Sequence, residues 1–417
     1  MGQFIADFHI HSRYSRATSP DMGVKNITAW AATKGIAVVG TGDFTHPLWR
    51  KELKKNLGRH TNGLYEYDKV KFILTAEISN IYKKNGKGRR VHTILFVPDF
   101  KTADRVSKEL EKRGNISSDG RPIFGFDAKD LVKIALDASP QAMIVPAHVW
   151  TPWFSVLGSM SGFDSIEECF EEQSENIYAL ETGLSASPDM CWRVSSLDKY
   201  SLISNSDSHS PGKIGREANV FDTGLGYEHI LSALKEKDSK RFLYTIEFFP
   251  QEGKYHYDGH RSCGVCYSPS QTRMCAGICP VCGKKLTIGV MSRVEALSDR
   301  PENFMPKDAI PFRRLVPLLE LIAATQKKGI CSKTVISEYK AAINFFGSEF
   351  NALLFADSSV LYKGLSCKTA DAVLNVRQGN VGVRAGYDGV YGTIDLNPAS
   401  VKRTDYACGG NHAKVAD

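Results

Sequence analysis

The segment FIADFHIHS, residues 4–12, decides how the rest of the chain is read. It opens as an apolar run of strand-forming residues and ends in His9 and His11. On an extended backbone side chains alternate, so residues i and i+2 share a face and the two imidazoles aim at one point. Paired imidazoles suit a divalent transition metal. The same event recurs down the chain. VVGTGD (38–43) ends in Asp43, ILTAE (73–77) in Glu77, and MIVPAH (143–148) in His148. VHTILFV (91–97) carries His92 near its start, and LISNSDSH (202–209) ends in Asp207 and His209, again i and i+2. In barrels and open parallel sheets the C-terminal ends of strands converge on one site. One polynuclear metal centre is the simplest single explanation for His9, His11, Asp43, Glu77, His92, His148, Asp207 and His209.

Between these strands lie helical patterns at 24–34, closed by Gly35, at 103–113 and at 128–137. Such alternation predicts an α/β domain with a mainly parallel sheet or barrel over residues 1–250. The chain has 417 residues, 42% of them hydrophobic and 24% charged, enough for two or three domains of an ordinary globular protein. No run approaches the 18 or so apolar residues of a membrane span. The start shows no secretory leader, so a cytoplasmic, nucleoid-associated protein is expected. The net charge is +7, nearly balanced over residues 1–250, with the excess in residues 251–417, which suits a polyanionic partner. There is no Walker loop, no Rossmann glycine fingerprint and no G-x-S-x-G elbow.

Half of the 10 cysteines fall between Cys263 and Cys282. Cys263-x2-Cys266 and Cys279-x2-Cys282 have the spacing of two knuckles that fold four thiolates around one structural Zn²⁺. Cys275, His256 and His260 lie close enough to replace one of them. This module is placed at 251–292. A helical region follows at 293–378: residues 310–347 read as helix, with Val335, Ile336, Tyr339, Ile343 and Phe346 at helical spacing and Ser332 as N-cap. Residues 379–417 read as a β-hairpin, NVGVRAGYDGVYGTIDL, and a frayed tail after Pro398.

HIHS, TGD, TAE, the strand histidine His92, PAH and SDSH together resemble the polymerase-and-histidinol-phosphatase (PHP) family of metal phosphoesterases. That resemblance implies a distorted seven-stranded barrel with two or three metal ions, zinc by ligand type with Mg²⁺ or Mn²⁺ as alternative activator. It places the eight residues above on ligand positions, with Asp207, His209 and His148 as the catalytic subset. Two positions depart from the family pattern: Ala17 where many members have histidine, which implies either one metal less firmly held or His46 contributing in its place, and Asp43 where many have histidine. The order of KYHYDGHRSCGV, ICPVCGKKLTIGV, SRVEALSDRPENF and GYDGVYG after the barrel is similar to the endonuclease Q family over nearly the whole chain. That implies a monomeric DNA repair nuclease cutting 5′ to uracil, hypoxanthine, xanthine or an abasic site. The alternatives are a small-molecule phosphatase of the histidinol-phosphatase type and a non-catalytic DNA-binding module. The end, GGNHAKVAD, carries no sliding-clamp peptide.

Candidate DNA contacts are the basic loop KKNGKGRR (Lys83, Lys84, Lys87, Arg89, Arg90), read as phosphate-binding or as a solvated turn. Trp150, Trp153 and Phe154 are read as stacking on a displaced base or as core. Gly386, Tyr387 and Gly389 either bring backbone close to DNA or form a tight hairpin.

Overall fold

Phe4–Asp7 (β1) is a strand with every residue buried, as its apolar run requires. The structure is a computed structural model that describes residues 2–59 and 61–396. β1 pairs in parallel with Val38–Gly40 (β2), and β2 in parallel with Val70–Lys84 (β3). β3 turns through Asn85 and Gly86, both at positive φ, into antiparallel Lys87–Val97 (β4). β4 pairs with antiparallel Met143–Pro146 (β5). On the other flank of β1, Ala218–Phe221 and Phe242–Glu247 add in antiparallel fashion, and Phe312–Arg314 adds in parallel.

The sheet has 11 strands and curls into a half-barrel. Ala179–Glu181 (β6) and Ser201–Ile203 (β7) form a separate parallel pair. Isolated bridges link it to the sheet, Ile144–Ile177 beside β5 and Ile10–Ser208 just past β1. Alternation along β1 divides two apolar layers. Phe4, Ala6 and Phe8 join Phe96, Val145, Ala179 and Ile203 inside the curve. Ile5 joins Val39, Phe72 and Leu95 in the layer that also holds the helices.

Two of the three expected helices start where an aspartate side chain satisfies a first-turn amide. Val24–Lys34 ends at Gly35 with φ +92, the left-handed cap the sequence indicated. The second expected helix begins earlier, spanning Phe100–Glu111, because the Asp99 carboxylate accepts from Thr102 N at 2.7 Å. Asp127 caps Ala128–Ala138 in the same way.

The expectation of helix throughout 310–347 is corrected. Phe312–Arg314 is a strand of the sheet, and the helices are Leu318–Gln326 and Lys333–Phe346. Pro311 and Pro317 bracket the strand; neither can donate an interior helical hydrogen bond, and the Pro311 carbonyl accepts from Thr245 N at 3.1 Å. Ser332 holds the N-cap place, and Val335, Tyr339 and Ala342 form the buried stripe. The expected hairpin is present, Gly382–Arg384 against Thr393–Asp395. The tail after Pro398, Cys408 and the GGNHAKVAD end lie outside the described residues. Among the described residues no helix is long and apolar enough to cross a membrane.

Candidate metal centre

Asp43, His148 and Asp207 each follow a strand and each has positive φ, at 49, 30 and 45°. Left-handed backbone is uncommon outside glycine and costs energy that surrounding structure must hold. Here it turns three strand ends toward one place. Gly183 makes room for one of them: a Cβ there would lie 2.5 Å from the His148 Cβ.

Glu77 is the hub, fully buried on β3. Its Oε2 lies 3.1 Å from His11 Nε2 and 3.5 Å from His9 Nε2, and Asp207 Oδ1 completes that group at 3.0 and 3.6 Å from the same nitrogens. Its Oε1 lies 2.7 Å from His92 Nδ1 and 3.1 Å from His148 Nε2. Two groups that can hold a cation, His9–His11–Glu77–Asp207 and Glu77–His92–His148, thus share one carboxylate.

The other two expected ligands stand aside from these groups. Asp43 sits behind His11: its Oδ1 is 3.1 Å from His11 Nδ1, and its Oδ2 accepts from Ser12 N, Ser12 Oγ and Ser15 Oγ at 2.6, 2.7 and 2.8 Å. His209 lies tilted against His11, ring centroids 4.4 Å apart, with Nδ1 2.8 Å from the Asp207 carbonyl. His46 is excluded as a substitute ligand. Its Nδ1 accepts from Trp49 N, its Nε2 faces the Ser117 carbonyl at 3.1 Å, and its ring stacks on Tyr14.

Sequence reading missed two residues. Glu181, at the end of β6, is 2.9 Å from His9 Nδ1 and accepts from His148 N and Asn205 Nδ2 at 2.8 and 2.9 Å. The signal is present in the sequence, a short strand ending in a carboxylate, Ala179–Glu181. Arg121 donates to Glu77 Oε2 at 3.0 Å; no ligand pattern selects a guanidinium.

Burial would strip these groups of charge, and their neighbours outweigh it. Desolvation pulls His9 down, yet Glu181, Asp207 and Glu77 hold it well above its ordinary value. Desolvation pushes Glu77 up, yet His92, Arg121 and His9 hold it well below the carboxylate range. His92 goes the other way: burial dominates Glu77 and brings it down to about 4. His9 Nε2 is buried without a hydrogen-bond partner. An orphaned imidazole nitrogen facing two carboxylates is what a cation would relieve, so the donor set fits metal ions.

The four-cysteine expectation is corrected. The group formed is His260, Cys263, Cys279 and Cys282, with Cys282 Sγ 3.4 Å from His260 Nδ1. Cys266 is opposite Gly259 in the Asp258–His260/Val265–Tyr267 hairpin, while His260 is opposite Val265. Strand alternation therefore turns Cys266 to the other face, where its Sγ is 4.0 Å from the Ala385 carbonyl. Cys275 turns its thiol to Thr272 O, and buried His256 packs on Tyr257. Although burial opposes it, the backbone amides of Val281 and Cys282 bring the Cys279 thiol down to about 7, toward the thiolate a metal needs.

Of the DNA-contact candidates, Lys83, Lys87 and Arg90 are exposed at the β3–β4 turn. Lys84 is held by Asp127 and Glu171, and Arg89 lies 4.0 Å over the Phe163 ring. Trp150 is not a stacking residue: it is fully buried, and its Nε1 donates to Cys191 Sγ at 3.2 Å. Trp153 meets Tyr255 edge-on at 5.3 Å, and Phe154 packs on His92 at 4.8 Å. Gly386 is required by the protein's own packing, since a Cβ there would lie 2.3 Å from Gly253 O. Tyr387 is half-buried and pairs its backbone with Val390, and Gly389 supplies the positive φ of that tight turn.

The MJ0043 C-terminal domain family matches residues 317–380. A Methanocaldococcus jannaschii protein, MJ0043, is 33% identical over 263 residues; the match covers 61% of this chain and 32% of that one, so the chain spans about a third of this relative's length. The Bacillus subtilis protein YqxK is 29% identical over 410 residues, covering 94% of this chain and all of its own. The lesion-specific endonuclease PfuEndoQ from Pyrococcus furiosus superposes with a TM-score of 0.87 at 32% identity, over 97% of this chain and 98% of that one. An endonuclease Q bound to a 27-mer duplex with an abasic lesion at its active site superposes at 0.85, also at 32% identity and over 97% of this chain. On identity and coverage together, this chain belongs to the endonuclease Q family.

Proposed function

We propose that this protein is a monomeric, metal-dependent DNA repair endonuclease that hydrolyses the phosphodiester 5′ to a deaminated base (uracil, hypoxanthine or xanthine) or an abasic site. The observation that carries this is Glu77, one carboxylate shared by two groups of imidazoles and carboxylates. Cations held by these two groups would supply Lewis-acid chemistry for an in-line phosphoryl displacement, making water a better nucleophile near neutral pH and offsetting the charge that builds on the phosphate. The protein's part is positional. Glu181 and Asp43 fix the far nitrogens of His9 and His11, so that each Nε2 faces the hub. Asp207 is 28% exposed, on the side from which water and substrate enter. His209 has Nδ1 tied to a carbonyl, which leaves Nε2 to trade a proton with water or with the departing 3′ oxygen.

The path β1-β2-β3-β4-β5-β6-β7, joined back to β1 through Ile10–Ser208, supports reading the half-barrel as the seven-stranded PHP barrel. The Cys₃His group supports a structural Zn²⁺, since three thiolates and an imidazole select zinc over harder ions. Zn²⁺, Mn²⁺ or Mg²⁺ suits the mixed barrel site. DNA is the partner this reading requires, and the lesion nucleotide must leave the stack before attack at a cost of a few kcal/mol. Labelled duplexes containing uracil, hypoxanthine, xanthine or an abasic site, incubated beside an undamaged control, test the proposal. The expected product is one nick 5′ to each lesion. Equal cutting of the control defeats the lesion claim, and no cutting with any loaded metal defeats the nuclease claim.

A further inference from the structure

Arg121 is brought to the metal centre by a strand pairing and not by its own ion pair. Ile123–Phe124 adds in parallel to β3 with Ile123 opposite Ser79. Two residues back along both strands, that register sets Arg121 beside Glu77. Three further contacts fix the loop. Ser79 N donates to Pro122 O at 3.0 Å, Arg121 N to Asp119 Oδ1 at 3.1 Å, and Gly120 N to Tyr14 O at 3.0 Å. Gly120 must be glycine for so close an approach, since a Cβ there would lie 2.4 Å from Asp43 Oδ2.

The guanidinium so placed is under-used. A single N–H group, on Nη1, reaches Glu77, and among the described residues the Arg121 guanidinium makes no other hydrogen bond or ion pair to a side chain, with Asp207 and Asp119 acting on it only through their charge. The side chain is 26% exposed, while Glu77 is fully buried. Arg121 therefore stands at the mouth of the site with N–H donors left over, next to the carboxylate shared by both cation groups. A planar fork of donors with fixed charge matches two oxygens of a phosphate group.

The geometry points to Arg121 as a catalytic residue that grips a non-bridging oxygen of the scissile phosphodiester. It donates hydrogen bonds to charge that grows in the transition state, forms no covalent bond and gives up no proton. This rests on the nuclease reading above. Loss of one such donor typically costs on the order of 100- to 1,000-fold in rate.

The test uses full-length metal-loaded protein and a duplex with one abasic site. Arg121→Ala and Arg121→Lys are compared with wild type in single-turnover nicking, in affinity for the duplex and in bound metal by mass spectrometry. Arg16→Ala serves as control, because Arg16 is a neighbouring exposed cation paired with Asp119 at 3.3 Å. Arg121→Ala is expected to lose at least about 100-fold in nicking. Its duplex affinity should stay within about fivefold and its metal content unchanged, with added guanidinium ion at millimolar concentration restoring at least about tenfold. Arg121→Lys should stay slow, since an ammonium cannot fork, and Arg16→Ala should nick within about threefold of wild type. Nicking within about threefold for Arg121→Ala overturns the assignment. So does a loss that follows lost metal and resists guanidinium, which makes Arg121 a support for Glu77 alone. Should wild type itself leave the duplex intact, the nuclease reading fails first.

Discussion

Replacing Glu181 by glutamine changes the carboxylate that aims His9 while removing no member of either cation group. Both oxygens of Glu181 are acceptors, one for Asn205 Nδ2 and one for His148 N, and His9 Nδ1 lies 2.9 and 3.1 Å from the two. An amide has one carbonyl oxygen and one NH₂, so whichever way it turns, a donor faces a donor. At least one charge-assisted hydrogen bond is lost, worth about 1.5–3 kcal/mol. Outer partners of metal-binding histidines typically carry about 10–100-fold in metal affinity, which is the same energy range at about 1.4 kcal/mol per tenfold. Glu181→Gln should therefore weaken cation binding by the His9 group by about 10–100-fold, read by competition with a chromophoric chelator. Nicking of an abasic duplex should recover when metal is raised by the same factor, because no group that touches substrate has changed. Unchanged chelator competition would refute the claim that Glu181 sets His9. A loss of nicking that no metal concentration restores would refute the division between aiming and chemistry.

Three other outcomes follow from the same geometry. Cys279→Ser and His260→Ala should each lose the metal of the cysteine module, while Cys266→Ser should keep it; metal analysis with Cys266→Ser depleted would return Cys266 to the ligand set. Trp150→Phe should cost about 1 kcal/mol of stability for the lost N–H···S bond, with nicking and lesion preference unchanged; altered lesion preference would make it a base contact after all. Burial pushes Glu247 up to about 8 from an ordinary 4.5, so the folded protein keeps a proton that the unfolded chain releases. Its contribution to stability is full below about 4.5 and is lost as pH rises toward about 8. Urea unfolding from pH 5 to 9 should show that decline, and Glu247→Gln should flatten it; parallel curves for the two proteins would count against a buried, protonated Glu247.

What could be read in advance was what alternation and chemistry fix together. His9 and His11 share a face because a strand repeats every two residues, and Glu77, His148 and Asp207 ended apolar runs as site residues of a parallel sheet do. What could not be read depends on register between distant segments. Spacing alone made Cys266 a ligand. Only the pairing of Cys266 with Gly259 shows that it faces away and that His260 takes its place. Arg121 reaches Glu77 through the pairing of Ile123 with Ser79, which nothing in its neighbourhood announces. Trp150 follows His148 directly, yet burial is a property of the whole barrel and no pattern around the residue reports it. Asp43 was found by its place at a strand end, but which nitrogen of His11 it would face was beyond a one-dimensional pattern.

A carboxylate held in common would make cations loaded into the two groups partners instead of tenants. A first ion on one oxygen of Glu77 would leave the second oxygen already poised, so a second ion would meet an arranged berth and be spared the ordering cost. Loading should then climb sigmoidally, with the singly filled species scarce throughout the titration. On the nuclease reading, an enzyme built this way would switch between empty and armed over a narrow span of metal concentration, and cellular metal supply would act as a throttle on when strands are cut.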